Sequence, residues 1–278
     1  MLYLLLAILS SAMVSIVMRL SSHRVSGNIS MLAMNYLMCV AVAACYTGFG
    51  NLFPASSDLP HTVGMGAIHG LLYLISFILL QWNVQKNGVV LSATFMKLGL
   101  LVPIAGSVLL LGEIPSLTEL IGFCIAIAAI LLINLTPNAS VSQFRPGLIL
   151  LLLGGGCADG MAKVFETLGN PALSPQFLFY TFVAAFILCL ALMLQQNQRP
   201  GLPEIFFGFL IGIPNYFSAK FLLKALDTVS AVVAYPTYSV STIFVVTIAG
   251  VFLFRERLEK QQWFALGSIL VSLILLNI

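Results

Sequence analysis

The stretch Leu91–Glu113, LSATFMKLGLLVPIAGSVLLLGE, decides how the chain is read. It is an apolar run that starts near Val89 and is long enough to cross the hydrocarbon of a bilayer, which takes about 20 residues as a helix. Lys97 sits inside it. At about 1.5 Å per residue, its backbone lies about 12 Å from the end of the span. Facing lipid there would cost at least about 2.5 kcal/mol. A lysine stem can snorkel, but the ammonium must still reach water or a partner. The run therefore predicts a membrane helix that turns Lys97 towards an aqueous cavity or a carboxylate.

Working outward, the same composition holds along the chain. Of its 278 residues, 60% are hydrophobic and only 8% are charged. A soluble domain carries about 25% charged residues, so lipid is the expected solvent. Ten apolar runs are predicted as helices, near 2–22, 29–48, 63–85, 89–111, 116–135, 147–166, 174–194, 203–225, 229–254 and 259–277. Polar, Pro- and Gly-rich breaks such as SSHRVSGN, TPNASVSQFRPG and QQNQRPGLP separate them. No break is long enough for a soluble domain. The first run lacks a basic start and a small-residue cleavage site, so it reads as a retained helix. Cys39, Cys45, Cys124, Cys157 and Cys189 all fall inside helices without metal-ligand spacing and read as small hydrophobes. No metal and no cofactor is expected. The net charge of +3 is spread over short breaks and bespeaks orientation, not nucleic acid.

The chain also repeats itself. Gln81–Glu113 lies over Lys224–Glu256 without gaps, and Val89, Val90, Thr94, Val102, Val108, Leu110 and Glu113 meet identical residues. Residues 1–138 and 139–278 thus read as two five-helix repeats. Five is odd, so the second copy must enter the membrane the opposite way. Carriers use such inverted repeats, with a site near mid-membrane at the repeat interface.

At these residues the chain resembles a family. LLLGEIPSLTELIG and FLFRERLEKQQWFALG are similar to the helix-end motif of the EamA domain in the drug/metabolite transporter superfamily. ALDTVSAVVAYPTY is similar to its short connection between the eighth and ninth helices, and Pro103 stands where the family often has a fourth-helix proline. The chain departs from the pattern at Val246, which replaces a second such proline, with Pro236 appearing earlier, and in lacking a Trp-Gly start. The resemblance implies an all-α integral membrane protein of ten transmembrane helices, two inverted repeats around a central cavity, carrying small metabolites.

The basic residues are asymmetric. Arg19, Arg24, Lys86, Arg145, Arg199, Arg255, Arg257 and Lys260 fall opposite the N-terminal side, and only Lys163 and Lys224 fall on it. The positive-inside rule then puts both termini outside a cell (inner) membrane. The resemblance implies termini inside; the size of the asymmetry favours the charge rule.

The candidate site residues are polar or aromatic groups within the runs. Lys97 is expected to attract an anionic group, with a structural ion pair to Asp159 as the competing reading. In GGGCADGMAKVFE, Asp159, Lys163 and Glu166 share one helix face. Asp159, the deepest acid, is the candidate proton carrier; the competing reading is a packing groove, in which Gly156 and Gly160 let another helix approach, beside a self-neutralised charge cluster. Asn215, Tyr216, Tyr235, Tyr238, Phe95 and Tyr180 are further candidates for substrate binding, with His69, Gln81, Trp82 and Asn35 weaker. Lys220 and Lys224 read as snorkelling lysines. Pro103, Pro214 and Pro236 are candidate hinges, with Gly99 and Gly106 beside Pro103. Gly66/Gly70 and Gly208/Gly212 read as packing pairs.

No phosphate-binding Gly-x-x-x-x-Gly-Lys-Ser/Thr loop is present, so no ATPase is built in. The three histidines are scattered, which argues against an enzyme. The expected function is a secondary carrier for a small polar metabolite, an organic anion or amino acid, driven by protons or exchange. The alternative is a flippase for a lipid-linked sugar or phosphate. The expected partners are the small-molecule substrate, the bilayer and coupling protons; oligomeric state is not legible.

Overall fold

A computed structural model of the chain describes residues 1–21, 24–87, 89–112, 114–134, 145–254 and 260–278. Glu113, Arg255, Glu256, Arg257 and His23 lie outside the described residues, as do the side chains of Gln81 and Arg145. The described residues form helices without strands: α1 (Leu2–Ser21), α2 (Asn28–Thr47), α3 (Leu59–Asn87), α4 (Val89–Leu98), α5 (Leu101–Leu111), α6 (Leu117–Asn134), α7 (Arg145–Leu168), α8 (Ser174–Gln195), α9 (Leu202–Leu226), α10 (Ala231–Phe254) and α11 (Lys260–Leu276). Single 3₁₀ turns cover Phe49–Asn51 and Pro171–Leu173. Seven helices among the described residues are long and apolar enough to cross a membrane, and the apolar segments Phe95–Leu110, Leu117–Leu132 and Lys260–Leu276 are shorter. Large apolar side chains such as Leu109, Leu110, Phe252 and Phe264 stand exposed. In water such a surface is a liability; against lipid tails it carries no penalty.

The chain folds into two compact units, and neither coincides with a sequence half. The first combines Met1–Leu74 with Val164–Asp227; the second combines Ile75–Lys163 with Thr228–Ile278.

In the first unit, α1 packs on α9, and α2 packs on α8 and α9. Small residues set the approach. A Cβ added at Gly208 or Gly212 would stand 2.5 Å from Met34 Cβ or Met38 Cβ on α2. One at Gly70 would meet the Thr181 carbonyl on α8 at 2.5 Å. These glycines therefore act as the packing pairs the sequence suggests. Glu204, only 4% exposed, joins the start of α9 to the α1–α2 connection. Its Oε1 accepts from the amides of Ser26 (3.0 Å) and Gly27 (3.3 Å) and from the Ser26 hydroxyl, and its Oε2 accepts from the Gly201 amide at 3.0 Å. An aromatic stack fills the interior: Phe165 lies 4.0 Å from Phe177, which stacks on His69 at 5.4 Å, and His69 on Tyr73 at 4.5 Å.

In the second unit, α6 packs on α11, and α10 contacts α5, α6 and α11. Ser272 Oγ donates to the Gly122 carbonyl at 2.9 Å, and Gln261 Nε2 to that of Leu132 at 2.9 Å. Buried Asn83 donates to the Gly147 carbonyl at 2.9 Å and to Leu79 at 2.8 Å, tying α3 to α7.

The fourth apolar run is divided between α4 and α5. Pro103 has no amide hydrogen, and its ring crowds the carbonyl four residues back, that of Gly99. Gly99 is itself a poor helix former. The backbone tightens there: the Gly99 amide donates to Met96 at 3.1 Å and the Val102 amide to Gly99 at 2.9 Å, both three residues back. Pro214 and Pro236 lie in α9 and α10, which run on unbroken. Proline alone is thus insufficient; at the break the residue whose carbonyl the Pro103 ring crowds is itself a glycine, whereas α9 has Leu210 at the corresponding place before Pro214.

Candidate functional site

The second unit gathers a set of polar groups around that break. Lys97 is half-buried in the last turn of α4. Carbonyls freed at a helix C-terminus favour a cation, so the break itself gives the ammonium a partial counter-charge inside an apolar run. α7 lies directly against it. A Cβ on Gly156 would collide with the Gly99 carbonyl and stand 2.6 Å from Val102 Cβ. Gly160 stands opposite Pro103, with a Cβ there 3.6 Å from Pro103 Cβ. The Gly-x-x-x-Gly of α7 is therefore the cradle for the interrupted helix.

This cradle puts Asp159 within electrostatic reach of Lys97. Among the described residues the two form no direct salt bridge, and the Asp159 side chain keeps open surface. Tyr235, 1% exposed, fixes the backbone of that acid: its hydroxyl donates to the Asp159 carbonyl at 2.8 Å. Lys163, one turn further along α7, is buried. Phe95 and Tyr238 are both half-buried, and the Tyr238 carbonyl accepts from Thr242 Oγ1 at 2.7 Å. Pro236 lies between the two tyrosines.

The remaining candidates belong to the first unit. Asn215 Nδ2 donates to Asn35 Oδ1 at 3.2 Å, and Cys39 donates to the Gly212 carbonyl at 3.2 Å, so these side chains link α2 and α9. Tyr216 is fully buried against Phe182 and Tyr46. The Tyr180 hydroxyl donates to the Leu52 carbonyl at 2.8 Å, which fixes the turn after α2. Pro214 is buried in α9. Glu166 accepts from the neighbouring Thr167 hydroxyl at 3.3 Å. His69 Nδ1 lies 3.4 Å from Thr181 Oγ1. Among the described residues no three His, Cys, Asp or Glu side chains cluster as metal ligands.

Sequence reasoning passed over Glu204 and Asn83. Glu204 carries a readable signal, an acid three residues after a glycine at a helix start. Asn83 carries none, since only packing shows which carbonyl it meets.

A bundle of apolar helices with lipid-suited surfaces defines an all-α, multi-pass membrane protein. Residues 145–278 match the EamA-like transporter family, which lies in the drug/metabolite transporter superfamily. An uncharacterized protein of Haemophilus influenzae is 26% identical over 274 residues, covering 94% of this chain and 92% of its own. A solved crystal structure superposes over 99% of this chain and 94% of its own with a TM-score of 0.74 at 13% identity, a likeness of fold alone.

Proposed function

We propose that the chain is a secondary carrier of ten transmembrane helices, built from two five-helix repeats (residues 1–138 and 139–278) inserted in opposite senses. It moves a small polar metabolite, an organic anion or amino acid, across the cell membrane by alternating access. Lys97 attracts the anionic group of the substrate, and Asp159 carries the coupling proton or holds Lys97 when the site is empty. The break at Gly99–Pro103 is the hinge. Tyr238 and Phe95 contribute to the binding surface, and Tyr235 positions Asp159.

The observation that supports this reading is that Lys97 and Asp159 lie within electrostatic reach of each other without a direct salt bridge among the described residues. A purely structural pair would close to a direct bridge, because the desolvation of two separated charges is repaid only by contact. Opposite charges without a direct bridge beside an interrupted helix suit a ligand that satisfies both. The charge asymmetry favours both termini outside.

The test is vesicle uptake with a ligand found by thermal-stabilisation screening of amino acids, organic acids, nucleosides and amines. Lys97→Ala should abolish uptake of the hit. Asp159→Asn should remove pH-gradient-driven uptake and spare exchange. Normal transport by Lys97→Ala refutes the role of the lysine, and unchanged driven uptake by Asp159→Asn refutes that of the acid.

A further inference from the structure

The first unit contains a cavity of about 270 Å³ where the ends of α2 and α9 meet the start of α8. Lys220 lines it, half-buried, with its Nζ 2.8 Å from the centroid of the Tyr46 ring. Among the described residues no carboxylate neutralises Lys220. The neighbouring Lys224 is committed to Asp227 at 3.0 Å. Tyr216 also lines the cavity, and its buried hydroxyl has no hydrogen-bond partner. A buried hydroxyl left unpaired is destabilising, and a ligand that accepts from it offsets that. Ser174 and Pro175, at the head of the 22-residue α8, form another wall, and the positive end of a helix favours an anion. Leu178, Leu223 and the Tyr46 ring are apolar.

We propose that this cavity binds a small monocarboxylate with an apolar or aromatic body, its carboxylate held by Lys220 and the Tyr216 hydroxyl. Lys220 is held against Tyr46 but its charge is not neutralised by any described carboxylate, and the Tyr216 phenol is unpaired; one carboxylate suits both. Lys224 and Asp227 neutralise each other, so the cavity offers one unneutralised positive charge, that of Lys220, which favours a monoanion over dicarboxylates and phosphate dianions. The site is separate in composition from the Lys97 group and does not depend on the carrier reading.

The test is equilibrium binding of benzoate to the full-length protein in phosphatidylcholine nanodiscs. Benzoate should bind saturably, and neutral benzyl alcohol should not compete. Lys220→Gln should weaken binding at least about tenfold and Tyr216→Phe about three- to tenfold, since a hydrogen bond to a charged group is worth about 1.5–3 kcal/mol and a neutral donor less. Both variants should melt within a few degrees of the parent. A soluble acid and the head of a free fatty acid share this chemistry. Competition by oleate in the bilayer, lost in Lys220→Gln, assigns the site to a lipid source; benzoate saturation indifferent to oleate assigns it to a soluble one. Equal benzoate affinity in the parent and Lys220→Gln overturns the proposal. So does the absence of saturable binding by either probe, or binding lost in Lys97→Ala and kept in Lys220→Gln.

Discussion

Gly156 and Gly160 occupy the same face of α7 one turn apart, yet adding one methyl to each should have opposite effects. At Gly156 the new Cβ would stand 2.6 Å from Val102 Cβ and collide with the Gly99 carbonyl. Carbon atoms settle at about 3.5–4.0 Å, so α7 must retreat from the break by about 1 Å. Overpacking of this kind costs about 1–3 kcal/mol. Replacing a mid-helix glycine returns about 0.5–1 kcal/mol, which leaves Gly156→Ala destabilised by up to about 2.5 kcal/mol. At Gly160 the nearest atom to the new Cβ is Pro103 Cβ at 3.6 Å, an ordinary contact. Gly160→Ala keeps the helix gain and should be stabilised by about 0.5–1 kcal/mol. The helix gain is common to both, so the two variants should differ by the overpacking cost, about 1–3 kcal/mol, or about 2–12 °C in Tm at the about 2–4 °C per kcal/mol expected of chains near this size. Thermal unfolding in one detergent, followed by circular dichroism, measures the difference. Equal shifts, or Gly156→Ala melting at or above the parent, would refute the idea that α7 is seated on the interrupted helix.

Three further outcomes are expected. Glu204→Ala orphans the amides of Ser26, Gly27 and Gly201 and should destabilise by about 3 kcal/mol, within the range for losing hydrogen bonds to a buried charge; Glu204→Gln keeps one acceptor oxygen and should lose about half as much, both read by thermal melting. Tyr235→Phe removes the bond to the Asp159 carbonyl and should lower stability by about 0.6–1.7 kcal/mol, the range for interhelical hydrogen bonds in membranes. In a variant whose only cysteine is Cys45, exposed near the end of α2, a membrane-impermeant maleimide should label intact cells if the termini are outside; labelling only after permeabilisation would reverse the orientation.

Much of this was legible in the sequence for local reasons. A proline four residues after a glycine marks a weak point in any helix, and Gly99–Pro103 is where the fourth run divides. Gly208/Gly212 and Gly66/Gly70 signalled close packing, and their partners turn out to be α2 and α8. The lysine in an apolar run signalled a neighbour of opposite charge, and Asp159 stands within reach. Less could be read where distant packing decides. Tyr235 reads as a substrate-binding candidate in the sequence, but its hydroxyl donates to a backbone carbonyl 76 residues away. Tyr180 is likewise tied to Leu52, 128 residues earlier. The two compact units were hidden for the same reason, since each is assembled from both halves of the chain.

That assembly has a bearing on biogenesis. α1 and α2 leave the ribosome first, yet the helices they pack against, α8 and α9, are completed only at Leu226. Synthesis at about 5–20 residues per second leaves the opening hairpin waiting on the order of ten seconds or more in the bilayer without its mates. During that interval the faces around Asn35 and Cys39 must be sheltered by lipid or by the insertion machinery.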